Sequence, residues 1–341
     1  MSSAPAPRAS NLADLARLAG VSVSTVSRAL ANHPAISERT RRRIAELARA
    51  HDFQLNATAR NLRLGKTHAI AVLLPLGHER SQHLYDPFFL TLLGHLADVI
   101  ANHGYDLLLS RVLPEDDRWL DAFIDSGRAD GVIVVGQSDQ IATLNRVGAR
   151  YRNMVVWGAY APGNTHLTIG SDNVEGGRLA GRHLIGLGRR RLLFLGNPEV
   201  PEFGARYKGF LEAVAEAPGV AHDLLPAHLT AEGSYAHARA WLTEHVAPDG
   251  ICAASDILAM STLRALSESG LSVPEDVAVV GYDDVPLASH TTPPLTTVKQ
   301  DLETGAAALC DMLLARMRGE EVASVQMPPR LVVRGSSMAR D

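Results

Sequence analysis

The sequence predicts an α + α/β fold. An N-terminal three-helix head with a helix-turn-helix and a short hinge helix precede a two-lobed α/β body of parallel sheets flanked by helices. Three observations carry this. Apolar residues recur at helical spacing from Leu12 to about His51, and after His68 they give way to short β-branched runs separated by helical stretches. At 341 residues the chain is long enough for more than one hydrophobic core. Charge is also split: residues 1–66 carry 11 Lys/Arg against 4 Asp/Glu, so the remainder is net −11 in a chain of overall charge −4. A basic end on an acidic body suits a nucleic-acid-binding head, because phosphate neutralisation supplies most non-specific affinity. A solvated basic surface is the plainer alternative.

Leu12, Leu15, Ala16 and Ala19 form one face of a first helix, and Gly20 follows where a positive φ ends a helix cheaply. Ser22 can cap a second helix through its hydroxyl. In that helix Val26, Ala29 and Leu30 share the inner face, and Ser24, Ser27 and Arg28 the outer one. Two short helices joined by a tight turn make a helix-turn-helix, whose second helix fits the DNA major groove. Small hydroxyls with one arginine make a narrow outer face that can reach base edges and phosphates. The bland alternative is a buried helical hairpin. A third helix is expected from Ser37, its cap, to about His51, with Ile44, Leu47 and Ala48 buried. Arg39, Arg41, Arg42 and Arg43 crowd its first turns, where phosphate contact is expected.

Asn56 to Lys66 reads as a hinge helix of about two turns, capped by Asn56 and ended by Gly65. So short a helix is stable only when something holds it. Leu62 and Leu64 suit a wedge between base steps of the minor groove, or else a linker resting on the next domain.

Asn11 to Lys66, through LARLAGVSVSTVSRAL and the Asn56, Ala59 and Leu62 pattern, resembles the DNA-binding head and hinge of the LacI/GalR family of bacterial transcription regulators. The resemblance implies that Val23, Ser24 and Arg28 read bases. It further implies that Asn11, Ser22, Thr25 and Ser27 anchor phosphates, and that Leu62 enters the central minor groove. Leu55 stands where most members have proline, and Ala31 where asparagine is usual.

In the body, Ala69–Pro75, Tyr105–Ser110, Gly131–Gly136, Asn153–Gly158, Arg191–Gly196, Gly250–Ser255 and Asp276–Tyr282 are short apolar runs. Helical stretches include Pro87–Asn102, Asn173–Leu187, Phe203–Glu216, Ser234–Val246 and Asp256–Ser269. Continuous apolar strands alternating with helices imply parallel sheets buried on both faces, and about ten such units imply two lobes. Ligands of such sheets bind beyond the strands' carboxyl ends, here a cleft between the lobes.

This body resembles the periplasmic-binding-protein-like effector domain of the same family. The motifs Pro87-Phe88-Phe89, Asp172-Asn173 with Gly176-Gly177, Arg206 with Gly209, Ser255-Asp256, Gly281-Tyr282-Asp283-Asp284 and Pro294 to Gln300 occur in the expected order. By that resemblance Phe88, Phe89, Asp172, Arg206, Ser255, Asp256, Asp283 and Gln300 contact a small-molecule effector. Leu229 stands where sugar-binding relatives often stack an aromatic ring, a role that Trp157 or Tyr85 could take. A carboxylate and a guanidinium at strand ends suit vicinal hydroxyls, whereas the plainer alternative makes Asp283 and Asp284 turn residues and Arg206 a surface ion pair.

The expected domains are a flexible tail (1–10), the head (11–55), the hinge (56–66) and the body (67–341). Its lobes are approximately 67–167 plus 300–320, and 168–299 plus 321–341. Two distant cysteines, Cys252 and Cys310, and an N-terminus without signal-peptide character suggest a cytoplasmic, nucleoid-associated bacterial protein. No phosphate-binding loop or GxGxxG is present; Gly136 to Gln140 lacks the second glycine of a nucleophile elbow, and His78 with His83 is the nearest histidine pair to a metal spacing. Neither metal, cofactor, membrane nor catalysis is expected. The function expected is a homodimeric, sequence-specific repressor of a carbohydrate utilisation operon. It would bind a near-palindromic double-stranded operator under control of an effector, here a sugar. No leucine heptad follows Arg330–Arg334, so a dimer is expected rather than a tetramer. The alternatives are a solute-binding protein without catalytic activity, and a purine or nucleoside as effector.

Overall fold

The computed structural model describes residues 11–30, 32–51, 53, 66–76, 83–137, 139–227 and 230–338. The expected tail, residues 56–65 of the hinge with Asn56, Ala59 and Leu62, and Ala31, Leu55, His78, Ser138 and Leu229 lie outside the described residues. The chain divides into two compact units, Met1–Thr67 and His68–Asp341.

In the first unit α1 spans Leu12–Ala19, α2 Val23–Leu30 and α3 Glu38–Ala50. The Asn11 carboxamide accepts the Asp14 amide at 2.9 Å and caps α1, and Gly20 closes it at φ 64°. The Ser22 hydroxyl accepts the Thr25 amide at 3.2 Å, and that of Ser37 the Thr40 amide at 3.3 Å. Leu15, Ala16, Ala19, Val26, Ala29, Ile44 and Ala48 form the core, with Leu12, Leu30 and Leu47 at its edge. Part of the arginine run works inside the head. Arg43 donates to the Ala19 carbonyl and fastens α3 to the end of α1; Arg41 donates to the Asn32 carbonyl at 3.3 Å, and Arg42 pairs with Glu38 at 2.8 Å.

The second unit holds two six-stranded sheets. The first contains β1 (Ala69–Pro75), β2 (Asp106–Val112), β3 (Gly131–Val135), β4 (Met154–Trp157), β5 (Leu167–Ser171) and β11 (Val325–Met327), all parallel, in the order β11-β5-β4-β3-β1-β2. The second contains β6 (Arg191–Leu195), β7 (Ala221–Leu225), β8 (Gly250–Ala253), β9 (Ala278–Asp283), β10 (Thr296–Lys299) and β12 (Arg330–Val332). Its order is β12-β10-β9-β8-β6-β7, parallel except for β12.

The helices are α4 (Pro87–Asn102), α5 (Trp119–Asp125), α6 (Ile141–Gly148), α7 (Asn173–Gly186), α8 (Pro201–Ala215), α9 (Ala231–Glu244), α10 (Asp256–Glu268) and α11 (Leu302–Met317). Successive strand residues face opposite layers. Ile70, Val72 and Leu74 pack with Leu92, Leu96 and Leu309, whereas Ala71 and Leu73 pack with Leu120 and Leu144. Burial on both faces makes β1 a continuous apolar run. Among the described residues, no helix is long and apolar enough to cross a membrane.

The lobe limits differ from expectation. Residues 168–171, expected in the second lobe, pair with β4 and β11 in the first sheet, as do residues 325–327 with β5. The lobes are therefore 68–171 with 302–327, and 172–299 with 330–338. The chain crosses three times: after Ser171, after Lys299 and after Met327.

Helices α7 and α8 approach to backbone contact. A Cβ at Gly177 would overlap the Arg206 carbonyl, and one at Gly209 the Val174 carbonyl. These glycines let the backbones touch and so set where Arg206 emerges. Gly177→Ala should overpack this contact and cost about 1–3 kcal/mol or more. Urea denaturation checks this, and a midpoint equal to wild type would show that the approach is not fixed.

Candidate functional site

Two surfaces gather the residues singled out in the sequence. On the head, Val23, Ser24 and Arg28 are exposed on α2, and Thr25 and Ser27 are half-buried beside them. The Ser22 hydroxyl also meets Ser24 Oγ at 2.8 Å and Thr25 Oγ1 at 2.9 Å, so it belongs to a cap as well as to the exposed face. Asn11 is exposed while serving as the cap of α1. A hydroxyl-rich helix face with one exposed guanidinium, on a head this basic, can hydrogen-bond both phosphates and base edges.

The second surface is a cavity between the lobes, partly open to solvent. Its walls are the carboxyl ends of the strands and the first turns of the helices that follow, as parallel sheets dictate. The first lobe contributes Phe88, Phe89 and Trp157; the second contributes Phe203, Arg206, Ser255 and Asp283, with Gln300 at a crossover. The Phe88 ring packs against the cores of both lobes, 6.4 Å from Trp157.

Arg206 is 5% exposed. Its Nε donates to Asn173 Oδ1 at 2.8 Å, its Nη1 donates to the Ala254 carbonyl, and the same nitrogen lies 3.7 Å from Asp283 Oδ1. The guanidinium carbon sits 3.7 Å from the centre of the Tyr282 ring, a cation–π contact. Asp283, 4% exposed, accepts Gln300 Nε2 at 2.7 Å. Burial pushes its carboxyl up to about 7; Arg206 and the Gln300 hydrogen bond pull it down, and Asp86 across the cleft pushes it up. Asp283 and Asp284 both have positive φ, 118° and 57°, and Asp284 accepts Arg334 Nη2 at 2.7 Å. Ser171, Ser255 and Glu202 line the cavity, and the two hydroxyls and Glu202 Oε1 are buried without a hydrogen-bond partner.

Six of the eight expected contact residues thus line the cavity. Asp172 and Asp256 are corrections: neither does. Asp172 caps α7 by accepting the Glu175 amide at 2.9 Å. Asp256, fully buried, accepts Thr297 Oγ1 at 2.6 Å and the Val285 amide at 2.9 Å, and so fixes the backbone behind Asp283. Its carboxyl is raised well above the ordinary range by burial and by Asp283. Tyr85 is 62% exposed and stacks on His83, outside the cavity, whereas Trp157 lines it. Asn173, Glu202, Phe203 and Ser171 were missed as site residues. A usable signal existed: Glu202, Phe203 and Arg206 begin the helix that follows a strand, with Glu202 and Arg206 one turn apart.

A basic helix-turn-helix head followed by a two-lobed α/β body with a cleft at its strand ends defines a class, the ligand-responsive DNA-binding regulator. The relatives narrow it. Residues 11–56 match the family model described as bacterial regulatory proteins, lacI family, and residues 182–337 match the periplasmic binding protein-like domain. The transcriptional repressor PurR of Edwardsiella ictaluri is 31% identical over 335 residues, 95% of each chain. The chain belongs to the LacI family of transcription regulators. The Lac repressor dimer bound to operator and the anti-inducer ONPF has the same fold, with a TM-score of 0.82 and 24% identity over 98% of this chain and 100% of that one. A complex of the regulator CelR with cellobiose is 27% identical, with a TM-score of 0.69 over 96% of this chain and 100% of that one.

Asp283 holds its proton more tightly folded than unfolded, where its pKa is about 3.9. Its contribution to stability is therefore complete below that value and lost as pH rises through about 7. Asp256 acts in the same direction. Wild type should lose stability more steeply than Asp283→Asn between pH about 4 and about 7. Denaturant titrations across that range check this, and parallel pH profiles would contradict it.

Proposed function

We propose that this protein is a homodimeric repressor that binds a near-palindromic operator and releases it when a carbohydrate fills the inter-lobe cleft. The observation that carries this is the chain Arg206–Asp283–Gln300. A guanidinium, a carboxylate and a carboxamide converge at strand ends, with the partnerless hydroxyls of Ser171 and Ser255 in the same wall. These groups can exchange hydrogen bonds with a polyol, and the Phe88 and Trp157 rings offer apolar cover for a sugar face. The cellobiose complex of the relative CelR supports a sugar. A purine or nucleoside is the second reading, favoured by the four aromatic rings Phe88, Phe89, Trp157 and Phe203, which suit a flat base.

In this reading Phe88, Phe89, Arg206, Ser255, Asp283 and Gln300 meet the effector, and Asp172 and Asp256 hold the frame. Val23, Ser24 and Arg28 read bases, while Asn11, Ser22, Thr25 and Ser27 meet phosphates. Asn56, Ala59 and Leu62 form the hinge that enters the minor groove. The domain plan is head to residue 55, hinge 56–66, then the body. The protein acts in the cytoplasm, on the nucleoid, and catalyses no reaction. Ligand hydroxyls compete with Gln300 for Asp283, and because Gln300 lies where the chain crosses between lobes, the competition alters how the lobes close. A coupling of about 1–3 kcal/mol to the hinges would change operator affinity roughly 5–150-fold.

Arg28→Ala should cost about 1–3 kcal/mol of operator affinity if its guanidinium pairs with guanine. Fluorescence anisotropy against operator and scrambled duplexes measures this, and an unchanged preference would remove Arg28 from base reading. Asp283→Ala should bind operator as wild type does but ignore the effector. Normal ligand-induced release in that variant would exclude Asp283 from the site.

A further inference from the structure

We infer that the cleft is built to exclude anions and to take an amine-bearing sugar, with Glu202 as the residue that sets this preference. The inference rests on the proposed effector role of the cleft and deepens it by naming the ligand's charge.

Four ionisable side chains line the cavity, three carboxyls (Asp86, Glu202, Asp283) and one guanidinium (Arg206). The positive charge is already engaged. Arg206 donates from Nε to Asn173 and from Nη1 to the Ala254 carbonyl, lies against Asp283, and rests on the Tyr282 ring. An arriving phosphate or carboxylate would find this cation compensated and would face two further carboxylates in a partly desolvated cleft, where like charges repel strongly.

The negative side is open. Glu202 Oε1 is buried in the wall yet accepts no hydrogen bond, and the Ser255 hydroxyl, on a residue 6% exposed, is likewise without a partner. A buried acceptor left unpaired is costly, so the complementary ligand brings a donor to it. An ammonium brings three donors and the compensating charge together. The lobes supply the rest of the logic. Asp86 belongs to the first lobe, where it caps α4 by accepting the Phe88 amide at 2.9 Å; Glu202 and Asp283 belong to the second. Asp86 acts on Asp283 across the cleft as like charge on like, which opposes closure. A cation between the lobes reverses that sign and favours closure. The aromatic walls, Phe88 and Trp157, suit the carbon face of a sugar ring.

The test uses the full-length protein and four matched sugar sets, built on glucose, galactose, mannose and ribose. Each contains the neutral sugar, its amino derivative, its phosphate ester and its acid. Binding is measured by titration calorimetry at neutral pH, alongside operator release by anisotropy. In at least one set the amino sugar should bind about 10–100-fold more tightly than its neutral parent, as a charge-assisted hydrogen bond warrants, and the anionic members should bind more weakly than the parent. Glu202→Gln should remove that amine preference, so that the amino sugar and its neutral parent bind the variant within a few fold of each other. Asp86→Asn, which can still cap α4, should weaken it partly. An anionic member binding as tightly as its parent, an amine preference that survives Glu202→Gln, or no set in which the amine is preferred would overturn the inference. If a neutral member still binds and releases operator, the carbohydrate-repressor reading stands without it. If no member of any set binds or alters operator affinity, both fall.

Discussion

The buried guanidinium of Arg206 is the constraint around which the second lobe is arranged. A cation taken out of water is tolerated only when each face and edge finds a partner, and removing one partner from a buried pair costs several kcal/mol. The partners come from separate parts of the lobe: Asn173 at the start of α7, the Ala254 carbonyl after β8, and Asp283 and the Tyr282 ring at the end of β9. They converge because α7 and α8 approach to backbone contact at Gly177 and Gly209. Packing of the helix pair and assembly of the cleft are thus one geometrical problem.

The carboxyls beneath the cleft carry the opposite stress. Asp256 and Asp283 are both buried; burial raises both carboxyls, and the charge of Asp283 raises that of Asp256 further. Thr297, Val285 and Gln300 supply donors that keep the pair in place. The positive φ angles of Asp283 and Asp284, sparsely populated for residues with a side chain, are held by the same contacts and by Arg334. Local backbone strain therefore sits at the cavity wall, where Asp283 is aimed inward and Asp284 outward.

Much of this was legible in the sequence for a physical reason. Strands such as Ile70–Leu74 and Val277–Tyr282 are buried on both faces, so they appear as unbroken apolar runs, and Pro87–Asn102 has a proline start that the structure keeps. Two of the four edge strands were not legible. Ala221–Leu225 begins with three exposed residues and Val325–Met327 with two, so neither carries an apolar pattern. The lobe limit slipped by four residues because Leu167–Ser171 runs straight into the cap of α7, with no composition change at the crossing. Asp172 and Asp256 show a second limit. A carboxylate at a helix start looks the same in sequence whether it meets a ligand, a backbone amide or a neighbouring hydroxyl. Arg206, Asp283 and Gln300 were found through the family resemblance and strand-end logic; Glu202, one turn before Arg206, was passed over.

The three crossings and the cavity share one edge of the two sheets, and that coincidence has mechanical content. At the first crossing, Ser171 and Asn173 line the cavity, while the Asp172 amide donates to the Met327 carbonyl at 2.9 Å and ties the first crossing to the third. At the second, the Gln300 amide donates to the Asp283 carbonyl at 3.2 Å and its side chain to the Asp283 carboxylate. A change of partner at Asp283 cannot be absorbed locally, because the displaced carboxamide is part of the connection between lobes. Close-packed cores on both sides resist gradual deformation, so the crossings are the compliant elements left to respond. A group that fills the cleft therefore acts directly on the segments that set the lobes' closure.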